Sequence, residues 1–228
     1  MNIFGFQKMT LLDFPGKVAC TVFTGGCNFR CPFCHNARLV THIDDPEISK
    51  EEILSYLNKR KGLLDGVCIT GGEPLLQPDL ADFISEIKEM GYAVKLDTNG
   101  AYPEKLANLL DRNLLDYVAM DIKNSKEKYP LTCGTEVDIQ KIEQSVQLLK
   151  SGKVEYEFRT TLVKELHEEK DILSMAKWLQ GTRYWFLQNF VDSGDLIETG
   201  LSAHSEKWIK NAESLARQLI EGVEVRGL

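Results

Sequence analysis

The sequence has no run of about 18 apolar residues, the length at which a helix begins to span a bilayer, so no membrane crossing is expected. Its first apolar residues are interrupted by Gly5, Gln7 and Lys8, which breaks the pattern of a secretory signal. Basic excess is missing too: 27 Lys and Arg stand against 34 Asp and Glu, giving a net charge of −7. That balance leaves no general footprint for nucleic acid. The short Lys59-Arg60-Lys61 run falls at an expected helix end, where the helix dipole favours cations. Low-complexity tracts and solenoid-type repeats are absent, and so is a second short ligand knuckle of the kind that zinc sites pair.

What is present is a concentration of thiols. Three of the six cysteines lie within eight residues, C-x3-C-x2-C, in the stretch Gly25-Gly26-Cys27-Asn28-Phe29-Arg30-Cys31-Pro32-Phe33-Cys34-His35-Asn36. A disulfide between Cys31 and Cys34 would strand Cys27, so the spacing suits a metal centre better than a bridge. Iron–sulfur cubes are normally held by four thiolates, and a three-thiolate loop would leave one iron open to a small molecule. Gly25 and Gly26, lacking Cβ, let backbone approach a bulky group. A zinc site built from Cys27, Cys31, Cys34 and either His35 or a distant thiol is the competing reading, and three inert buried cysteines are another. Clustered reduced thiols fit a cytoplasmic protein.

With 228 residues and 43% hydrophobic content the chain is expected to be one domain with a substantial core. Asp13-Phe14-Pro15-Gly16 reads as the turn of an N-terminal hairpin. Strand-like runs follow at Val18–Phe23, Val67–Thr70, Ala93–Asp97, Tyr117–Ile122, Tyr156–Val163 and Tyr184–Phe190. Helical periods lie between them, near Ser49–Lys61, Pro78–Met90, Pro103–Arg112, Asp138–Lys150 and Asp171–Leu179, with a last one near Ser205–Ile220. Ser49-Lys50-Glu51-Glu52 has the form of a capping box, and Gly62, Gly91, Gly152 and Gly181 stand just past four helix ends. Alternating strands and helices predict a parallel sheet with helices outside, and six units are too few for an eightfold barrel.

The cysteine spacing, with an aromatic before the third cysteine and a strand before the loop, resembles the cluster loop of radical S-adenosylmethionine (SAM) enzymes. The string Gln7-Lys8-Met9-Thr10-Leu11-Leu12-Asp13-Phe14-Pro15-Gly16-Lys17, running on to Cys34-His35-Asn36, is similar to the glycyl-radical-enzyme activases, and within them to activating proteins of anaerobic ribonucleoside-triphosphate reductase. The resemblance covers nearly the whole chain. It implies an α/β fold, an open partial (βα)6 barrel with an N-terminal hairpin. The single domain of residues 1–228 would comprise a hairpin (1–17), the barrel (18–190) and a C-terminal helix and tail (191–228).

The resemblance further implies that Cys27, Cys31 and Cys34 are both the metal ligands and the catalytic residues, holding a [4Fe-4S] cluster whose open iron takes SAM. One-electron reduction would cleave SAM to a 5′-deoxyadenosyl radical that removes hydrogen from a glycine of a partner enzyme. Flavodoxin or ferredoxin would supply the electron. Thr70-Gly71-Gly72-Glu73-Pro74 looks like the family's G-G-E motif, which assigns Gly71, Gly72 and Glu73 to the SAM amino group. Asp97, Thr98 and Asp121 match positions lining the SAM pocket or an adjacent cation, and Lys123 matches a partner of the SAM carboxylate. Phe33, Thr161 and Gln188 complete the expected cofactor contacts; some activases carry a histidine on the strand where this chain has Gln188. Arg159, a charge inside an apolar strand, should reach an anion, either SAM or a core carboxylate.

Cys20 and Cys68 read as buried strand residues, Cys133 as an exposed loop residue, and His42, His167 and His204 as surface residues. Alternative readings are an activase of formate-lyase type, a small-molecule radical SAM reaction such as a carboxydeazaguanine-type synthesis, and, from a different class, a zinc-stabilised binding module.

Overall fold

The computed structural model describes residues 1–41 and 48–227. In chain order the elements are β1 (Ile3–Thr10), β2 (Ala19–Thr24), α1 (Ala37–Thr41), α2 (Lys50–Asn58), β3 (Gly66–Gly71), a 3-10 turn (Pro74–Leu76), α3 (Leu80–Glu89), β4 (Ala93–Thr98), α4 (Pro103–Asp111), β5 (Tyr117–Asp121), α5 (Tyr129–Cys133), α6 (Ile139–Lys150), β6 (Glu155–Leu162), α7 (Glu169–Leu179), β7 (Trp185–Asn189), α8 (Glu206–Arg217) and β8 (Val223–Arg226).

Among the described residues eight strands form one sheet in sequence order, β1 to β8. β1 runs antiparallel to β2, and every later neighbour is parallel. β2 has Ala19, Cys20, Thr21 and Val22 all buried, as expected of a parallel strand covered on both faces. The helices present narrow apolar stripes to the sheet. Leu80, Phe83, Ile84 and Ile87 are the buried residues of α3, and Ile142, Val146 and Leu149 lie on one side of α6. Gly62, Gly91, Gly152 and Gly181 all take left-handed φ, which stops each preceding helix and turns the chain back toward the sheet.

The order is linear, so the curved sheet does not close into a ring. β8 was not anticipated: the segment 191–228 contributes a parallel strand beside β7 as well as α8. Four residues with a single alternation carry too little periodicity to be recognised alone. Since every parallel strand points the same way, their C-terminal ends gather loops at one rim, the usual place for chemistry in βα folds.

Candidate active site

Two adjacent loops of that rim, the one after β2 that carries the cysteines and the one after β3, are tied together through the backbone. The Gly26 N–H donates to Leu39 O at 2.7 Å, the Gly72 N–H to Thr24 O at 2.8 Å and the Glu73 N–H to Gly26 O at 2.8 Å. A Cβ on Gly71 (φ 117°) would fall 2.3 Å from Thr24 O, and one on Gly72 would fall 2.1 Å from Gly26 O. Only glycine fits both places, so the Gly-Gly pair is what lets β3 deliver its loop against the cysteine loop. Asn36 Nδ2 then donates to Gly71 O at 3.1 Å, and Gln77 Nε2 to Gly25 O at 2.9 Å.

A cavity of about 230 Å³ opens between these loops. Cys27, Cys31, Cys34 and Phe33 line it from the cysteine loop, and Gly71 and Gly72 from the end of β3. Asp97 and Thr98 reach it from β4, Asp121 from the end of β5 and Lys123 from the loop just after it, Thr161 from β6 and Gln188 from β7. Of the residues expected from sequence only Glu73 stays off the wall. It is fully buried, with Oε1 accepting from Leu75 N–H (3.1 Å) and Thr98 Oγ1 (2.9 Å), and Oε2 from Asn99 N–H (2.7 Å). Burial pushes its carboxyl up to about 7, although those donors pull the other way. Glu73 therefore clamps the loops after β3 and β4 to each other.

A chain of charges runs along one wall of the cavity. Arg159 donates to Asp121 Oδ1 at 3.0 Å through Nε and to Asp97 Oδ2 at 3.1 Å through Nη1. Lys123 pairs with Asp121 at 2.9 Å, and Lys95 with Asp97. Burial works against ionising these carboxyls, but the neighbouring cations prevail: Lys123 and Arg159 hold Asp121 at about 2, and Arg159 and Lys95 keep Asp97 below its usual range. Arg159 thus bridges core carboxylates while its side chain still borders the cavity. Three cations against two carboxylates leave one positive charge in excess.

The thiols differ among themselves. Burial pushes Cys27 up to about 12 and raises Cys34 as well. The neighbouring Cys133 thiol brings Cys31 down to about 7 in spite of burial. Cys133 is fully buried, contrary to its expected exposure, because Gly134 turns left-handed and seats α5 on the cysteine loop.

His167 and His204 are also buried rather than superficial. His167 Nδ1 accepts from Val163 N–H at 3.1 Å, which leaves Nε2–H to donate to Lys123 O at 2.8 Å. Its polar sequence context concealed this role in fixing the loop after β5. His42 lies outside the described residues. Sequence reasoning gave no role to Asn36, Asn99 or Lys95. Asn99 Nδ2 donates to Asn28 Oδ1 at 2.8 Å, and its Asn-Gly context was legible only as a turn.

Three soft sulfur donors border a space rather than a point, and among the described residues no three His, Cys, Asp or Glu side chains converge as a single metal ion requires. Beside them the wall continues as the Gly71-Gly72 backbone, where a Cβ would strike the Thr24–Gly26 backbone. Such a donor set and cradle fit an iron–sulfur cube with a small ligand on its open face.

Residues 21–179 match the Radical SAM superfamily. The chain belongs to that superfamily. It is accordingly an enzyme whose cofactors are a [4Fe-4S] cluster and SAM, and the zinc-module alternative is set aside.

A Methanocaldococcus jannaschii protein whose name provisionally assigns it to the glycyl-radical enzyme activating enzymes is 33% identical over 97% of this chain and 94% of its own length. The pyruvate formate-lyase-activating enzyme of Clostridium pasteurianum is 35% identical over 54% of this chain, which spans 52% of that enzyme. Among solved structures, a domain of pyruvate-formate lyase-activating enzyme from Bacteroides vulgatus superposes with a TM-score of 0.58 at 19% identity, over 71% of this chain and 99% of that one. Streptococcus suis SuiB bound to S-adenosylmethionine gives a TM-score of 0.71 at 12% identity, over 88% and 48%. At those identities the structures speak for the fold alone, that of a radical SAM partial barrel.

Proposed function

We propose that this radical SAM enzyme activates a glycyl-radical enzyme, and that the partner is an anaerobic ribonucleoside-triphosphate reductase. The observation that carries the reading is the meeting of three thiols and the Gly71-Gly72 backbone on one cavity in a sheet that stays open. Full-length similarity to a protein named for glycyl-radical enzyme activation supports the activase class. The string from Gln7 to Lys17 supports the reductase as partner.

In this reading Cys27, Cys31 and Cys34 hold the cluster. Gly71 and Gly72 offer backbone to the SAM amino group, while Phe33, Thr98, Thr161 and Gln188 pack around its remainder. Bound together, the two cofactors supply one-electron cleavage of SAM and hydrogen abstraction from a glycine of the partner. The protein's own share is position and charge. Arg159 holds Asp97 and Asp121 in place, and the surplus positive charge, presented through Lys123, matches the SAM carboxylate. Phe29 and Phe33 are buried beside the thiols and keep water from them. An open barrel also leaves room for a protein loop to enter, which a closed ring would deny.

A flavodoxin or ferredoxin is the proposed electron donor, and the cytoplasm the proposed location. Among the described residues no helix is long and apolar enough to cross a membrane. A formate-lyase-type partner is the second reading, favoured by the similarity to the clostridial enzyme. Anaerobic incubation with reductant, SAM and each candidate partner, followed by electron paramagnetic resonance, tests both. A glycyl radical on the reductase alone supports the first reading, and one on the lyase alone replaces it. Deoxyadenosine formed only with a small heterocycle would overturn the activase reading.

A further inference from the structure

Asn99 follows β4 directly and stands between the loop after that strand and the cysteine loop. It is buried, yet it lines the cavity together with Cys27. Its backbone N–H donates to Glu73 Oε2 at 2.7 Å, and its side-chain Oδ1 accepts the Ala101 N–H at 3.0 Å. Because the oxygen is held by Ala101, the NH2 end of the carboxamide faces the cysteine loop. There Nδ2 reaches Asn28 Oδ1 at 2.8 Å and the Cys27 sulfur at 3.9 Å. An amide NH2 carries two hydrogens, one for each partner. The Phe29 N–H approaches the same sulfur at 3.4 Å. Cys27 Sγ therefore meets one donor from its own loop and a second, longer contact from the loop after β4.

We propose that Asn99 is a positioning residue of the iron–sulfur site: its carboxamide donates an N–H···S hydrogen bond to the Cys27 sulfur when that sulfur is a cluster ligand, and so raises the cluster's reduction potential. The proposal rests on the assignment of Cys27, Cys31 and Cys34 as the ligands. Reduction adds negative charge that spreads onto the ligand sulfurs, so a donor aimed at one of them stabilises the reduced state more than the oxidised one. The direction of donation is fixed by chemistry, since a carboxamide NH2 can only donate. Its aim is fixed by the fold. Glu73 holds the Asn99 backbone and Ala101 holds the far side of the amide, so the NH2 group cannot turn away without giving up a bond.

The wild type, Asn99→Leu and Asn99→Ser are reconstituted anaerobically, their iron and sulfide are counted, and midpoint potentials are read by paramagnetic resonance titration without SAM. Full iron is expected in all three. Leucine keeps the branched shape and loses the donor. Serine can still accept from the Ala101 N–H, as such residues do in turns, but is too short to reach the sulfur. The midpoint should therefore move negative in both. An unshifted midpoint in iron-replete Asn99→Leu would overturn the proposal. So would a wild-type midpoint in Asn99→Ser, because Asn99 would then act through its turn alone. If neither variant takes up iron, hyperfine spectra of the reduced wild type carrying 15N only in asparagine side chains decide. Asn28 presents its oxygen to Asn99, and Asn36 spends its NH2 on Gly71 O, so the nitrogen expected to couple to the cluster is that of Asn99. No coupled 15N would overturn the proposal. A wild-type protein that binds no iron would instead remove the ligand assignment beneath it.

Discussion

Gly72 rests on Gly26 backbone to backbone: the Cβ that any other residue would bring to position 72 would lie 2.1 Å from the Gly26 carbonyl oxygen, which also accepts the Glu73 N–H at 2.8 Å. This contact joins the loop after β3 to the loop that carries the thiols. The geometry of the whole rim depends on it.

Gly72→Ala should therefore be worse than an ordinary surface change. No flexible side chain is there to yield, so one loop must move, at a cost of about 1–3 kcal/mol as for other overpacked sites. Urea unfolding reads the loss of stability. Anaerobic titration with SAM should show affinity lowered at least tenfold while the cysteines still take up iron. Unchanged SAM affinity would show that the two loops need not touch.

Arg159 bridges Asp97 and Asp121, and Arg159→Met would leave two largely buried carboxylates with one lysine each. Breaking such a network typically costs about 3–5 kcal/mol. Arg159→Lys should recover part of it, because a lysine can reach one carboxylate but cannot fork to both. Chemical denaturation of the two variants, side by side, measures the difference, and equal stabilities would refute the bridge.

His167 gives the fold a pH dependence. Burial lowers its pKa from 6.5 to about 4, so the unfolded chain binds the proton more readily. Stability is then fully present above 6.5 and declines as the pH falls toward 4, by about 3 kcal/mol over the window at 1.36 kcal/mol per pH unit. His167→Gln should flatten that slope. It should also loosen Lys123, whose carbonyl loses the Nε2–H donor. A wild-type stability that does not change between pH 7 and 4.5 would contradict this account of His167.

Glu73→Gln keeps the size of the side chain and removes an acceptor from the Asn99 N–H, or from Leu75 and Thr98 if the amide turns over. An unsatisfied buried group costs about 1–3 kcal/mol. SAM affinity should fall through displacement of Asn99 and Thr98, and hydrogen exchange at the Asn99 amide should speed up. A variant with wild-type exchange there would deny Glu73 its clamping role.

Much of this was written in local patterns. The helix-ending glycines, the alternating units and the motifs after each strand bring twelve of the thirteen expected cofactor and ligand residues, all but Glu73, around one cavity, because a parallel sheet brings consecutive strand ends together whatever lies between them. What stayed hidden depends on contacts distant in sequence. Cys133 is buried by its docking on Arg30, about 100 residues away along a chain whose compact fold permits such pairing. His167 is buried beneath the loop at Lys123, and β8 exists through its pairing with β7. Glu73 was placed in the right loop, yet its carboxylate turned inward to backbone donors, a choice that neither its position nor its charge announced.

The most direct measurement is paramagnetic resonance of the reduced, anaerobically reconstituted enzyme with and without SAM, alongside Cys27→Ala, Cys31→Ala and Cys34→Ala. The expected result is a cubane signal in the wild type that changes shape when SAM is added, and none in the three variants. A wild-type signal indifferent to SAM, or wild-type iron retained in all three variants, would contradict an open cluster held by those thiols.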